Sequence, residues 1–183
     1  MTTLLASRGS SMNDDEESLH QLVSSLLINM SVDTVDREGT TLLQWASANG
    51  RLDIVRLLIS KGADTNLRDT YGNTALHNAC YNGHLHIVQF LASHGSDLEA
   101  RDNNGVRPLH AACEEGHLEV AKELIDRQSV DINSVSYDGK TPTRICTMRG
   151  HHAVMQYLWS RGGTAHIEQT VPVITNWSFF LST

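Results

Sequence analysis

The chain has 183 residues, a net charge of −7, 40% apolar residues and 5% aromatic ones, enough for one domain whose core is built from small and aliphatic side chains. No basic stripe is present to neutralise phosphates, which argues against a nucleic-acid partner, and no apolar run approaches the roughly eighteen residues of a membrane span. Three cysteines, an odd number, fit a reducing compartment, read as cytoplasmic and also open to the nucleus.

The opening MTTLLASRGSSMNDDEE lacks the charged start and apolar stretch of a secretory signal, and its Ser/Thr-rich beginning with Arg8 is thin support for an organelle leader. Without secretion the triplets Asn29-Met30-Ser31 and Asn176-Trp177-Ser178 carry no weight as glycosylation sites. Residues 1–13 are read as disordered. Residues 14–35 are read as an N-terminal cap: Leu19, Leu22, Val23, Leu26, Leu27 and Met30 form a helical stripe. Asp14, Asp15, Glu16 and Glu17 crowd its first turn, where the helix dipole favours anions.

From residue 36 the chain repeats itself. Gly39, Gly72 and Gly105 are spaced by 33 residues and Gly139 follows after 34; Gly50, Gly83, Gly116 and Gly150 keep the same rhythm. Two glycine series in step mark one repeated unit, with units at 36–68, 69–101, 102–135 and 136–164. The extra residue falls near Gln128-Ser129. Thr41, Thr74 and Thr141 stand where a hydroxyl caps a helix, Pro108 and Pro142 suit a first helical turn, and Gln44 and His77 lie three residues after their caps. Arg107 cannot cap through a side-chain oxygen, so that helix leans on Pro108. Small residues follow (Ala46-Ser47, Ala79-Cys80, Ala112-Cys113, Cys146-Thr147), letting first helices approach closely, while second helices carry Leu58, Leu91, Leu124 and Leu158. Asp-x-x-Gly at 36, 69 and 102 marks the turn of a projecting hairpin. One short helix pair cannot bury such faces alone; stacking does.

The second and third units, DTYGNTALHNACYNGHLHIVQFLASHGSDLEAR and DNNGVRPLHAACEEGHLEVAKELIDRQSVDINSV, carry the resemblance most clearly. The chain resembles the ankyrin repeat family over residues 36–163, with its pattern D-x-x-G-x-T-P-L-H-x-A-A-x-x-G-H. The resemblance implies an all-α solenoid of helix-turn-helix units with projecting β-hairpin loops. It also implies a non-catalytic function: binding another protein through the concave face, as adaptor or inhibitor, and as a monomer without cofactor. Asn66 and Asn133 stand where the family suggests hydroxylation by an asparagine-modifying oxygenase.

Both HNACYNGH (77–84) and HAACEEGH (110–117) read His-x-x-Cys-x-x-x-His, a spacing that raises metal binding or a cysteine nucleophile. The same slots hold Gln44, Ser47 and Arg51 in the first unit and Arg144, Thr147 and His151 in the fourth. A ligand set does not survive as Gln, Ser and Arg. The expectation is that His77 and His110 bridge helix starts to hairpin backbone, that Cys80 and Cys113 fill the core, and that neither metal nor catalytic residues are present. Stacked helices about 8–10 Å apart also lie beyond disulfide reach.

Residues that vary between units at hairpin tips and first-helix ends are the candidate partner-binding set. They are Arg37, Glu38, Tyr71, Asn73, Asn104, Tyr137 and Lys140 on the tips, and Tyr81, Asn82, Glu114, Glu115, Met148 and Arg149 at the helix ends. Aromatic and arginine anchors carry most interface energy, so Tyr71 and Tyr81 are expected on one patch bordered by Glu114 and Glu115, suited to a basic or polar partner segment. The fourth unit, with His152, Arg144 and Gly162-Gly163 in place of the repeat residues, ends the stack. The tail 165–183, HIEQTVPVITNWSFFLST after Ala165, is read as folding back over Leu158 and Trp159. The alternatives are a linear motif for a partner or a route to self-association.

Overall fold

A computed structural model of the protein describes residues 21–23, 25, 30–127 and 129–165. The reading of residues 1–13 as disordered, the acidic run 14–17, Gln128 and the tail after Ala165 lie outside them. Among the described residues eight helices pair into four units: α1 (Leu42–Ala48) with α2 (Leu52–Ser60), α3 (Ala75–Tyr81) with α4 (Leu85–Ser93), α5 (Pro108–Glu115) with α6 (Leu118–Asp126), and α7 (Pro142–Arg149) with α8 (His152–Ser160).

Each first helix starts where its sequence dictates. The Thr41, Thr74 and Thr141 hydroxyls accept from the backbone N–H of Gln44, His77 and Arg144, satisfying amides that the helix leaves without a partner. Arg107 donates no such cap, and Pro108 opens α5 with a residue that has no N–H to satisfy. The helices α5 and α7 end at Gly116 and Gly150, both with φ near +78°, a left-handed conformation in which other residues are strained.

The first helices pack on one another more extensively than the second ones do, because the column between them is Ala46, Ala79, Ala112 and Cys146, all fully buried. Leu58, Leu91, Leu124 and Leu158 fill the layer between first and second helices, each with no exposed surface; such a side chain contributes about 1.5–3 kcal/mol on burial. Where the first three units place Leu43, Leu76 and Leu109, the fourth places Thr143, buried without a hydrogen-bond partner for its hydroxyl among the described residues. Burying that hydroxyl in place of a leucine side chain weakens the packing of the last unit.

The projecting loops are tighter than β-hairpins. Each is closed by two backbone bonds at its first residue: that residue's N–H donates across the loop (Asp36 to Thr40 O, Asp69 to Asn73 O, Asp102 to Val106 O, Ser136 to Lys140 O, at 2.9–3.1 Å) and its carbonyl accepts from the glycine N–H three residues on. No named strand occurs among the described residues, only an isolated antiparallel bridge between Val35 and Thr41. The Asp36, Asp69 and Asp102 carboxylates each accept two backbone N–H groups across their turn, which is why an aspartate opens it.

At the N-terminal end, residues 21–23 and 25 are helical. Val23 is 4% exposed and joins the core, whereas Leu22 and Met30 of the expected stripe are 45% and 39% exposed. Adjacent residues on a helix point about 100° apart, so burying Val23 turns Leu22 outward.

Candidate functional site

The units are joined by side chains reaching in both directions. Looking down the stack, His110 Nδ1 accepts from Arg107 N–H at 3.2 Å, so the proton sits on Nε2. From there it is donated to the carbonyls of Ser134, at the end of its own unit, and of Lys140, in the next, at 3.1 and 3.2 Å. His77 does the same between Thr74 N–H and Val106 O. In the first unit Gln44 replaces the imidazole: its Oε1 accepts from Thr41 N–H at 2.7 Å and its Nε2 donates to Leu67 O and Asn73 O.

Looking up the stack, the second histidine of each motif clips the preceding unit. His84, His117 and His151 donate from Nε2 to the carbonyls of Ala48, Tyr81 and Glu114, at 3.1, 3.0 and 2.9 Å. Their rings lie on glycines: a Cβ on Gly50, Gly83 or Gly116 would come within 2.9, 2.6 or 2.4 Å of an imidazole atom. The sequence reading missed this role. Its signal was present, since histidine fills that slot wherever a unit precedes it, and Arg51, with no unit before it, is instead paired to Asp53 at 3.0 Å. Asn66 and Asn133 also act as bridges, donating to Gly95 O and Gly162 O and accepting from Asp97 and Thr164 N–H.

With both ring nitrogens of His77 and His110 committed to backbone, neither offers a lone pair to a metal, and no cluster of three or more metal-ligating side chains occurs among the described residues. Burial lowers the pKa of both rings, that of His110 to about 4, against the raising influence of the carbonyls they face. Cys80, Cys113 and Cys146 are buried free thiols, and burial pushes Cys80 and Cys113 above the ordinary thiol range, away from nucleophilic thiolate.

Arg107 is a further joint the sequence did not reveal. Its guanidinium is 11% exposed and pairs with Glu99 and, at 3.5 Å, with Asp131. Burial nevertheless raises the pKa of Glu99, outweighing the charge of Arg107.

Across the second to fourth units these joints leave a groove of ≈ 830 Å³. It brings together six of the candidate residues, Asn73, Tyr81, Asn104, Glu114, Tyr137 and Lys140, over a floor that includes His77 and His110. Outside its lining lie Arg37, Glu38, Tyr71, Asn82, Glu115, Met148 and Arg149, all exposed. The groove therefore pairs Tyr81 with Tyr137, and Tyr71 stays off it. In place of Tyr71 stands Asn103, hung by its side-chain and backbone N–H groups from Thr70 O and Tyr71 O.

The charges around the groove are largely engaged. Arg149 pairs with Glu114 across the third and fourth units. Lys140 pairs with Asp138 at 2.5 Å and, with Ser136, holds that carboxyl below its ordinary pKa. Glu115 accepts from the Tyr81 hydroxyl and repels its ionised form, raising the phenol's pKa.

Residues 10–102 and 98–170 match the family described as ankyrin repeats (3 copies). The chain belongs to the ankyrin repeat family. It is an all-α repeat solenoid of the kind that forms protein–protein interaction modules, a generally non-catalytic fold. It is similar to the palmitoyltransferase AKR1 of Eremothecium gossypii, 33% identical over 66 residues, 36% of this chain and 9% of that protein. It is also similar to the ankyrin repeat protein OPG189 of monkeypox virus, 41% identical over 51 residues, 28% of this chain and 9% of that one. The matches thus span about a tenth of each relative's length. No helix among the described residues is long and apolar enough to cross a membrane.

Proposed function

We propose that this ankyrin stack is an adaptor or inhibitor that holds a segment of a partner protein in the groove over its second to fourth units. What carries the reading is the pairing of Tyr81, 48% exposed, with Tyr137, 69% exposed, in that groove. Both rings stand on a frame fixed by the histidine clips, so little freedom is lost on binding. The amides of Asn73 and Asn104 on the same wall suit the backbone of an extended peptide. Glu114 and Asp138 already have cationic partners and the Asp102 carboxylate is spent on two backbone N–H groups, so the exposed Glu115 beside Tyr81 is the carboxylate left to meet a partner's cation, and the groove suits a polar segment bearing a basic residue.

The test is quantitative binding of proteins captured from the source cell. A Tyr81→Ala, Tyr137→Ala double variant is expected to lose affinity by about 30-fold or more, the effect of removing two aromatic anchors, while Tyr71→Ala binds as the wild type does. Equal losses from Tyr71→Ala and from the double variant, or none from either, would move the binding face elsewhere.

A further inference from the structure

Three joints between units are filled, and the fourth unit presents the same half-joint once more. In the filled joints a loop N–H from the following unit (Thr70, Asn103, Tyr137) donates to the preceding loop's carbonyl (Glu38, Tyr71, Asn104), at 2.9–3.1 Å. An imidazole from the following unit covers the glycine that ends each first helix and donates to the carbonyl two residues before it. In the fourth unit the corresponding groups are Asp138 O, Met148 O, Gly139 and Gly150. No loop or cap backbone N–H of the described residues donates to either carbonyl, and no described atom lies within 4 Å of a Cβ built on either glycine. On the same unit Trp159 is 52% and Met148 62% exposed, whereas Ile59 and Ile125, in the slot of Trp159, are partly buried against the core.

The chain itself leads onto this face. Thr164 N–H donates to Asn133 Oδ1 at 2.7 Å, the bond that Asp97 N–H makes to Asn66 Oδ1 at 2.8 Å. After Asp97 the backbone runs into the loop of the next unit, so at Thr164 it stands on the path a fifth unit would take. Residues 166–183 follow, HIEQTVPVITNWSFFLST, about 60 Å of chain when extended and rich in apolar side chains. A second copy is the weaker occupant, because the complementary end of the stack is already used: Val23 is buried in the core beside the first unit and Arg51, in the slot of the upward-reaching histidines, is tied to Asp53.

We propose that residues 166–183 dock on the open face of the fourth unit, completing its half-joint and covering Trp159 and Met148. The occupant is an extended apolar segment of the same chain, bound through backbone N–H groups to Asp138 O or Met148 O and through its aromatic residues to the Gly150 socket.

Photocrosslinking on the full chain tests this, with Trp159→p-benzoylphenylalanine as the probe. The expected product is a monomer cross-linked between position 159 and residues 166–183. A cross-linked dimer, a cross-link confined to residues 142–165, or no cross-link overturns the proposal. Hydrogen exchange supplies a second reading. A Trp177→Ser, Phe179→Ser, Phe180→Ser variant of the full chain is expected to exchange about tenfold faster in α8 with α3 and α4 unchanged; unchanged exchange in α8 overturns it too. The groove reading does not depend on either result, since Tyr81→Ala, Tyr137→Ala is judged by partner affinity alone.

Discussion

The first and third units solve one mechanical problem with different chemistry. Gln44 and His110 occupy equivalent positions, each accepts from the N–H of its own cap residue, and each donates to two carbonyls, one at the end of its own unit (Leu67, Ser134) and one in the loop of the following unit (Asn73, Lys140). The imidazole is therefore present for its shape, one acceptor and one donor on opposite edges of a rigid ring, and not for reactivity. The difference is that glutamine does not titrate and histidine does.

The comparison breaks most severely if the clip is removed altogether. His110→Ala leaves Ser134 O and Arg107 N–H without this partner in a buried site, removes one of the donors to Lys140 O and opens a cavity, and is expected to cost about 3–4 kcal/mol, whereas His110→Gln, borrowing the first unit's solution, costs about 1 kcal/mol or less; urea denaturation of both variants separates them. Acid is the next largest lever. The folded pKa of His110, about 4, lies below the ordinary histidine value of 6.5, so its stabilising effect is complete above pH 6.5 and is lost as pH falls toward 4. Between pH 7 and pH 5 that amounts to about 2 kcal/mol, with His77 acting in the same direction. Exchange measured along the chain should show α5 loosening over this window before α1, and His110→Gln should flatten the response.

The smallest effect sharpens the comparison between filled and open joints. Gly116 and Gly150 share a φ of 78°, but only Gly116 lies against an imidazole. Both alanine variants incur about 1 kcal/mol of left-handed strain; Gly116→Ala must also displace His151 and is expected to cost about 1–2 kcal/mol more. Thermal denaturation of the two variants side by side measures the difference, and equal losses would mean the ring yields freely.

Much of this was legible in the sequence because the glycine rhythm, the threonine caps and the small-residue column are local signals repeated four times. The histidine-to-loop clip was readable by comparing slots: Gln44 in the place of His77 rules out a ligand and leaves a hydrogen-bonding shape. What resisted was anything fixed only by stacking. Arg107 reads as a missing cap, and nothing within its own unit shows that Glu99 and Asp131 converge on it. Tyr71 and Tyr81 are close in sequence and were grouped, yet the groove joins Tyr81 to Tyr137, 56 positions on, because each loop is hung from the one before it. The apolar stripe at 19–30 marks a capping helix, but periodicity alone does not say which members meet the first unit: Val23 is buried, while Leu22 and Met30 are exposed.

The two-way clips give each unit a polarity. The first lacks the upward-reaching histidine and the last has Arg144 where the others carry Gln44, His77 or His110, so the end units are specialised while the second and third match on both faces. Copying residues 69–101 in tandem would therefore lengthen the array without inventing a new contact, and copying either end unit would strand a mismatched seam in its middle. The order of the units is written into their edges, and growth of such a protein is confined to its interior.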